Sequence, residues 1–231
     1  MQGITFGDKH TFNDWNLYLA SLTISVPKIK ENTIEVPGRD GVIDLSDVLD
    51  NDIKYDNRTI EAEFITLKPI SLFPSIYSEV MNYLHGKKMK IILDKDTGFY
   101  YIGRVKVDKT ETDKRMGKIV IKAEVDPYKY EIYSSTEDWI WDTFSFEDGI
   151  IREYKDLQVN GTMWLTIIGL RKVIHPIITT SKAIKLTFNN KNYDIPKGKS
   201  ELLDVNLIQG DNYLLFTGDA TISIEYRGGS L

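Results

Sequence analysis

Val36-Pro37-Gly38-Arg39-Asp40-Gly41-Val42-Ile43-Asp44-Leu45 is the stretch that decides how the chain around it is read. Pro37 presets φ for the second position of a turn and Gly38 accepts the positive φ of the third. Val36–Arg39 therefore reads as a type II turn, and Asp40-Gly41 supplies a second reversal. Thr33–Val36 and Val42–Leu45 are short β-favouring runs on either side, predicting a hairpin with Arg39 and Asp40 at its tip. Pro37, Gly38 and Gly41 are the structural residues of this motif. Turn formation alone accounts for them, since Pro-Gly and Asp-Gly pairs mark turns in many contexts.

Outward from the hairpin the first half is mostly strand. Leu22, Ile24 and Val26 alternate with Thr23 and Ser25, and Pro27 ends the run, which predicts one or two strands across 15–26. Arg58–Leu67 repeats the period, with Ile60, Ala62 and Phe64 on one face and Glu61 and Glu63 on the other. Ile76, Val80 and Leu84 recur at helical spacing, predicting a helix from about Pro74 to His85 that Gly86 ends and Lys87, Lys88 and Lys90 follow. Met89–Asp94 and Phe99–Lys109 read as strands joined through Gly98, and Lys109–Gly117 as an exposed polar loop. Ile119, Ile121, Ala123 and Val125 then alternate until Asp126-Pro127, since proline cannot extend a ladder.

The second half carries strand signals only: Trp139–Phe146, Met163–Gly169, Ala183–Phe188, Leu202–Ile208, Tyr213–Phe216 and Thr221–Tyr226. Turn residues separate them at Asn189-Asn190, Pro196-Lys197-Gly198 and Gly210-Asp211-Asn212. Many short strands at this spacing predict an antiparallel β-sandwich. Trp139, Trp141 and Trp164 can stack on sugar rings, although aromatic residues of the sandwich interior are the commoner explanation for such positions. The expected layout is a 1–133 domain and a 134–231 domain.

Composition and charge narrow the function. The 231 residues carry no cysteine, which excludes disulfides and thiolate metal sites. A net charge of -5 disfavours a general nucleic-acid binder, which needs a basic face to release counterions. No run approaches a membrane span and no signal-peptide pattern opens the chain, so a cytoplasmic origin is expected. His10, His85 and His175 are scattered, and no nucleophile elbow, phosphate loop or dinucleotide fingerprint is present. Neither catalysis nor a cofactor is expected. The acidic run Asp44, Asp47, Asp50, Asp52 and Asp56 lacks the spacing of a calcium loop and reads as a solvated surface.

Taken in order, Gly3-Ile4-Thr5-Phe6-Gly7, Trp15-Asn16-Leu17, the Val36–Leu45 turn and Tyr55-Asp56-Asn57-Arg58 resemble the distal tail protein family, Dit, of bacteriophages with long non-contractile tails. Asp126-Pro127-Tyr128-Lys129-Tyr130-Glu131 looks like that family's join between two domains, and Ile224–Leu231 like its ending. The likeness is tighter over 1–131 than beyond. It implies a mainly β protein: an α+β, barrel-like or split-sheet N-terminal domain with one packed helix, then a galectin-like or carbohydrate-module-like β-sandwich. It also implies a homo-hexameric ring at the virion tail tip, formed by the N-terminal domain and joining the tail-tube protein to a tail-associated lysin or fibre. The C-terminal domains would dock receptor-binding proteins, with a Gram-positive host expected. Arg39 and Asp40 are then candidates for contact with a neighbouring copy or the tube. The alternative from a different class is a stand-alone carbohydrate-binding module resting on the tryptophans.

Overall fold

The computed structural model describes residues 3–48, 52–66, 68–112, 116–137 and 154–231. It is mainly β, and backbone compactness divides it into two units. The first unit comprises Met1–Asp96 with Tyr101–Pro127, and the second Thr97–Tyr100 with Tyr128–Leu231.

In the first unit the strands are β1 (Ile4–Phe6), β2 (Lys9–His10), β3 (Leu17–Ile24), β4 (Thr33–Glu35), β5 (Val42–Asp44), β6 (Arg58–Thr66), β7 (Lys88–Leu93), β8 (Phe99–Thr112) and β9 (Gly117–Val125). All but β4 and β5 join one antiparallel sheet in the order β2-β1-β7-β8-β9-β6-β3. The alternation of β6 does what its sequence predicts: Ile60, Ala62 and Phe64 are buried, and Glu61 and Glu63 face outward beside Lys122 and Lys118 of β9. The predicted helix is α2 (Phe73–Leu84), whose Val80 and Leu84 are buried in the core. His85 caps it, its Nδ1 accepting from the Val107 N–H at 3.2 Å, and Gly86 turns the chain away at φ 80°. Lys87 donates to the Asn82 carbonyl in the last turn of the helix.

A five-residue helix, α1 (Thr11–Trp15), has no apolar period to announce it. Here the His10 ring caps the Asn13 N–H through Nδ1, and its Nε2 faces Asp94 at 3.1 Å. Trp15 is buried and donates from its indole to Glu79, which Lys9 also reaches at 2.8 Å.

The expected Lys109–Gly117 loop is a correction. Strand β8 continues to Thr112, pairing with β9 from Lys109↔Val120 to Thr112↔Gly117 after a bulge beyond Val107. The polar residues from Lys109 to Thr112 belong to a ladder with solvent on both faces, so they carry no apolar alternation.

The second unit contains β10 (Lys129–Glu131), β11 (Leu157–Gly169), β12 (Ile177–Thr180), β13 (Ile184–Phe188), β14 (Lys191–Ile195), β15 (Gly198–Glu201), β16 (Gly210–Glu225) and β17 (Gly229–Ser230). Strand β16 organises it, pairing with β11 along nearly its whole length and with β13 and β12 along its other edge. Its inward residues Leu214, Phe216, Ile222 and Ile224 are fully buried in one core with Ile167, Ile178 and Leu186.

Three expectations change here. Tyr213–Phe216 and Thr221–Tyr226 are parts of one strand, because Gly218 at φ 138° lies opposite Gly161 at φ 75° and the ladder runs through the glycine pair. Leu202–Ile208 is a loop whose apolar residues cover the core without joining it as a strand. Val205 and Leu207 are buried, while Asn212 ties the loop down by donating to the Ile208 carbonyl at 2.8 Å and accepting from its N–H at 2.9 Å. Asn212 itself is a strand residue instead of a turn residue, pairing with Ile167 of β11. The Trp139–Phe146 candidate lies outside the described residues.

Candidate functional site

Strands β4 and β5 form the predicted hairpin in the register Thr33↔Asp44, Ile34↔Ile43, Glu35↔Val42. The Arg39 N–H donates to the Val36 carbonyl at 3.1 Å and Gly38 takes φ 82°, as type II turn chemistry requires, while Gly41 takes φ 75° in the second reversal. At its base Asp44 accepts from both the hydroxyl and the backbone N–H of Ser46, which hold its carboxyl below the usual range. The Ser46 hydroxyl in turn accepts from the Asn32 N–H.

The hairpin is the end of a longer ribbon. Beyond β3 and β6 the two chain segments stay paired through Ser25 N–H to Thr59 O, Asp56 N–H to Lys28 O, Lys30 N–H to Lys54 O and Leu45 N–H to Asn32 O. Ile29 bridges Tyr55 between them. No residue from Lys28 to Val48 is buried. Val26, Ile29, Ile34, Val36, Val42 and Val48 all stand exposed, Val26 to 85%. A two-stranded ribbon without a covering layer is marginal in water, and among the described residues this arm presents exposed apolar side chains and two open edges. Arg39 and Asp40 stand exposed at the tip with no side-chain partner among the described residues.

The other candidates disperse. Trp164 is 69% exposed on β11, diagonal to the exposed Tyr213 of β16, which lies two residues from Trp164's register partner Leu215. Trp139 and Trp141 lie outside the described residues, as does Asp50 of the acidic run. Among the described residues no three His, Asp or Glu side chains come together as a metal set. Asp56 faces Lys30 and Asp52 faces Lys54, both at 3.8 Å. Two stretches distant in sequence do meet. The 126–131 segment and the 224–231 segment pair as β10 and β17, with Arg227 donating to the Glu131 and Ile132 carbonyls and Glu131 accepting from the Gly228 N–H.

No family model matches the sequence, and a search of curated proteins gives no match. Among solved structures the chain is similar to the SPP1 Dit protein, gp 19.1, described as a paradigm of the hub adsorption apparatus in phages that infect Gram-positive hosts. The superposition covers 98% of this chain and 99% of that one, with a TM-score of 0.67 and 13% identity. The chain has the Dit fold. At that identity the Dit likeness rests on architecture from end to end, with both units included, and individual side chains carry little of it.

Proposed function

We propose that the chain is a structural hub of a bacteriophage tail tip, without catalytic activity. The observation that carries this reading is the Dit fold spanning both chains almost completely. The exposed arm supports it independently, because a ribbon with apolar side chains and open edges suits contact with another subunit. In this reading the first unit closes a homo-hexameric ring by head-to-tail contacts, and the ring joins the tail-tube protein to a tail-associated lysin or fibre. The second unit offers docking surface for receptor-binding parts. Arg39 and Asp40 lie at the tip of the hairpin turn, where opposite charges can set register against a neighbouring copy or the tube.

The test is mass in solution across a concentration series, by light scattering with negative-stain images. Six chains of 26.6 kDa give a species of roughly 160 kDa with a central channel, as closed cyclic symmetry requires. A monomer at every concentration, persisting when the chain is co-expressed with its tail-tube and lysin neighbours, overturns the reading. Neutralising Arg39 and Asp40 together is expected to weaken assembly, and unchanged assembly removes the tip from the interface.

The exposure of Trp164 beside Tyr213 favours one second reading, a sugar-stacking face on the β11–β16 ribbon. Glycan-array binding by the full chain that Trp164→Ala abolishes would support it. Silence on the array removes it.

A further inference from the structure

Trp164 is a large aromatic residue standing in water. Its indole makes no hydrogen bond or ring contact among the described residues. Alternation along β11 sets its direction. Leu165 and Ile167 pack into the core of the second unit, so Trp164 and Thr166 occupy the opposite face. The same parity runs through the neighbouring strands. Leu214 and Phe216 of β16 and Leu186 of β13 are buried, which turns Tyr213, Leu215 and Thr187 the other way.

Register carries one row straight across this face. Trp164 lies opposite Leu215, Leu215 opposite Thr187, and Thr187 opposite Asn192 of β14. At the usual spacing between strands the row spans about 14 Å. It begins on an indole, crosses a half-buried leucine, and ends on a hydroxyl and an amide. The Thr187 hydroxyl donates to Asn192 Oδ1 at 2.7 Å, which fixes the pair and leaves the Asn192 amide nitrogen and the hydroxyl lone pairs for a ligand. Tyr213, exposed and diagonal to Trp164, widens the apolar end.

No charged side chain interrupts the row. On one flank the next row by register is Thr162, Thr217, Lys185 and Asp194, where a cation and an anion stand cross-strand from each other. On the other flank Asp211 lies beyond Tyr213, whose hydroxyl donates to its carboxylate at 3.3 Å. The charges bound the face, and its centre joins an aromatic platform to neutral donors and acceptors. A pyranose ring has the same division, with C–H faces that stack on an aromatic ring and hydroxyls that both donate and accept.

Resting on the stacking reading of Trp164 given above, we propose that this row is an extended site for an uncharged oligosaccharide. Its first ring stacks on Trp164, and later rings run across β16 and β13 to Asn192.

Isothermal titration of the full chain tests the site with the maltose, cellobiose and chitobiose series, each taken from monosaccharide to hexasaccharide, and with polygalacturonate as a charged probe. In at least one neutral series affinity is expected to rise about tenfold between monosaccharide and trisaccharide and then to level off, since the row has a fixed length. Trp164→Ala is expected to abolish binding. Asn192→Leu is expected to weaken the trisaccharide about fivefold, through one lost hydrogen bond, and to leave the monosaccharide unchanged. Both side chains are exposed, so an unmoved urea midpoint in each variant is the control for folding. Binding that neither grows with length nor responds to Asn192→Leu overturns the extended row and leaves the stacking reading standing. No binding in any series overturns both. A preference for polygalacturonate, or self-association in light scattering that Trp164→Ala removes, assigns the face to an acidic ligand or to a second copy and overturns the proposal.

Discussion

The β6–β9 ladder and the β4–β5 hairpin are built from the same pairing, and they end in opposite states. The ladder runs unbroken from Arg58↔Val125 to Thr66↔Gly117, and one face is sealed beneath α2 and the core. The hairpin also pairs in register, with two well-formed turns, yet every side chain from Thr33 to Val42 is exposed. Local turn chemistry is sufficient to shape a ribbon; a second layer is what makes it stable. The difference separates a part that holds the molecule together from a part whose apolar residues stay exposed.

Truncation should widen that contrast most. Phe64→Ala, at a fully buried site, is expected to destabilise the chain by about 3–5 kcal/mol in urea unfolding. Ile34→Ala on the arm should stay within about 0.5 kcal/mol. Equal losses at the two sites would mean that the arm is packed in the single chain. Next in size is Gly103→Ala, which places a Cβ against the Glu124 carbonyl and should cost roughly 1–3 kcal/mol through a displaced ladder. An unaltered urea midpoint would contradict that close approach. Gly38→Ala, by contrast, forces a side chain into φ 82° at an open tip. Faster amide exchange confined to the hairpin is expected, with the global midpoint unmoved, and a global loss would join the arm to the core.

The smallest effect is electrostatic. Glu79 is held below the usual carboxylate range by Lys9 first and the Trp15 indole second. A depressed carboxylate contributes stability above its unfolded value, here 4.5, and loses it as pH falls through the lower folded value. Wild type minus Glu79→Gln stability should therefore shrink on acidification below about pH 4.5. The exposure of this pair keeps the difference small, and a difference that grows toward low pH would reverse the assigned sign.

Much of the first unit was legible because period and burial agree in it. Strand β6, helix α2 and the hairpin each carry a pattern that only one structure satisfies. Where burial and strand pairing part company, the sequence misleads. Val205 and Leu207 are as apolar as any strand, but they cover the core from a loop. Lys109–Thr112 is as polar as any loop, but it is ladder. Gly218 looks like a break, and its partner Gly161, far away in sequence, makes it a continuation. The arm's turn was readable, whereas its exposure was not, since Ile34 and Val42 are β-formers whether covered or bare. Arg58 was visible only as the residue that opens a strand. The strand's own alternation puts it on the face of Ile60, Ala62 and Phe64, whereas its residence over Tyr101 depends on the pairing with β9 and β8.

The shared position of β16 has a consequence in time. Among the described residues β11 finds its partner only in Gly210–Glu225, while β12 and β13 pair earlier with β15 and β14 and meet β16 along their second edges. A chain emerging from the ribosome completes the β2-β1-β7-β8-β9-β6-β3 order once Val125 is available, whereas in the second unit β11 is unpaired and the β13–β14 and β12–β15 pairs stand apart until β16 joins them. Long sequence separation makes that closure slow as well as late. The nascent protein thus spends its most vulnerable interval with one half folded and the other half holding open edges, the interval in which premature association with other copies is most costly.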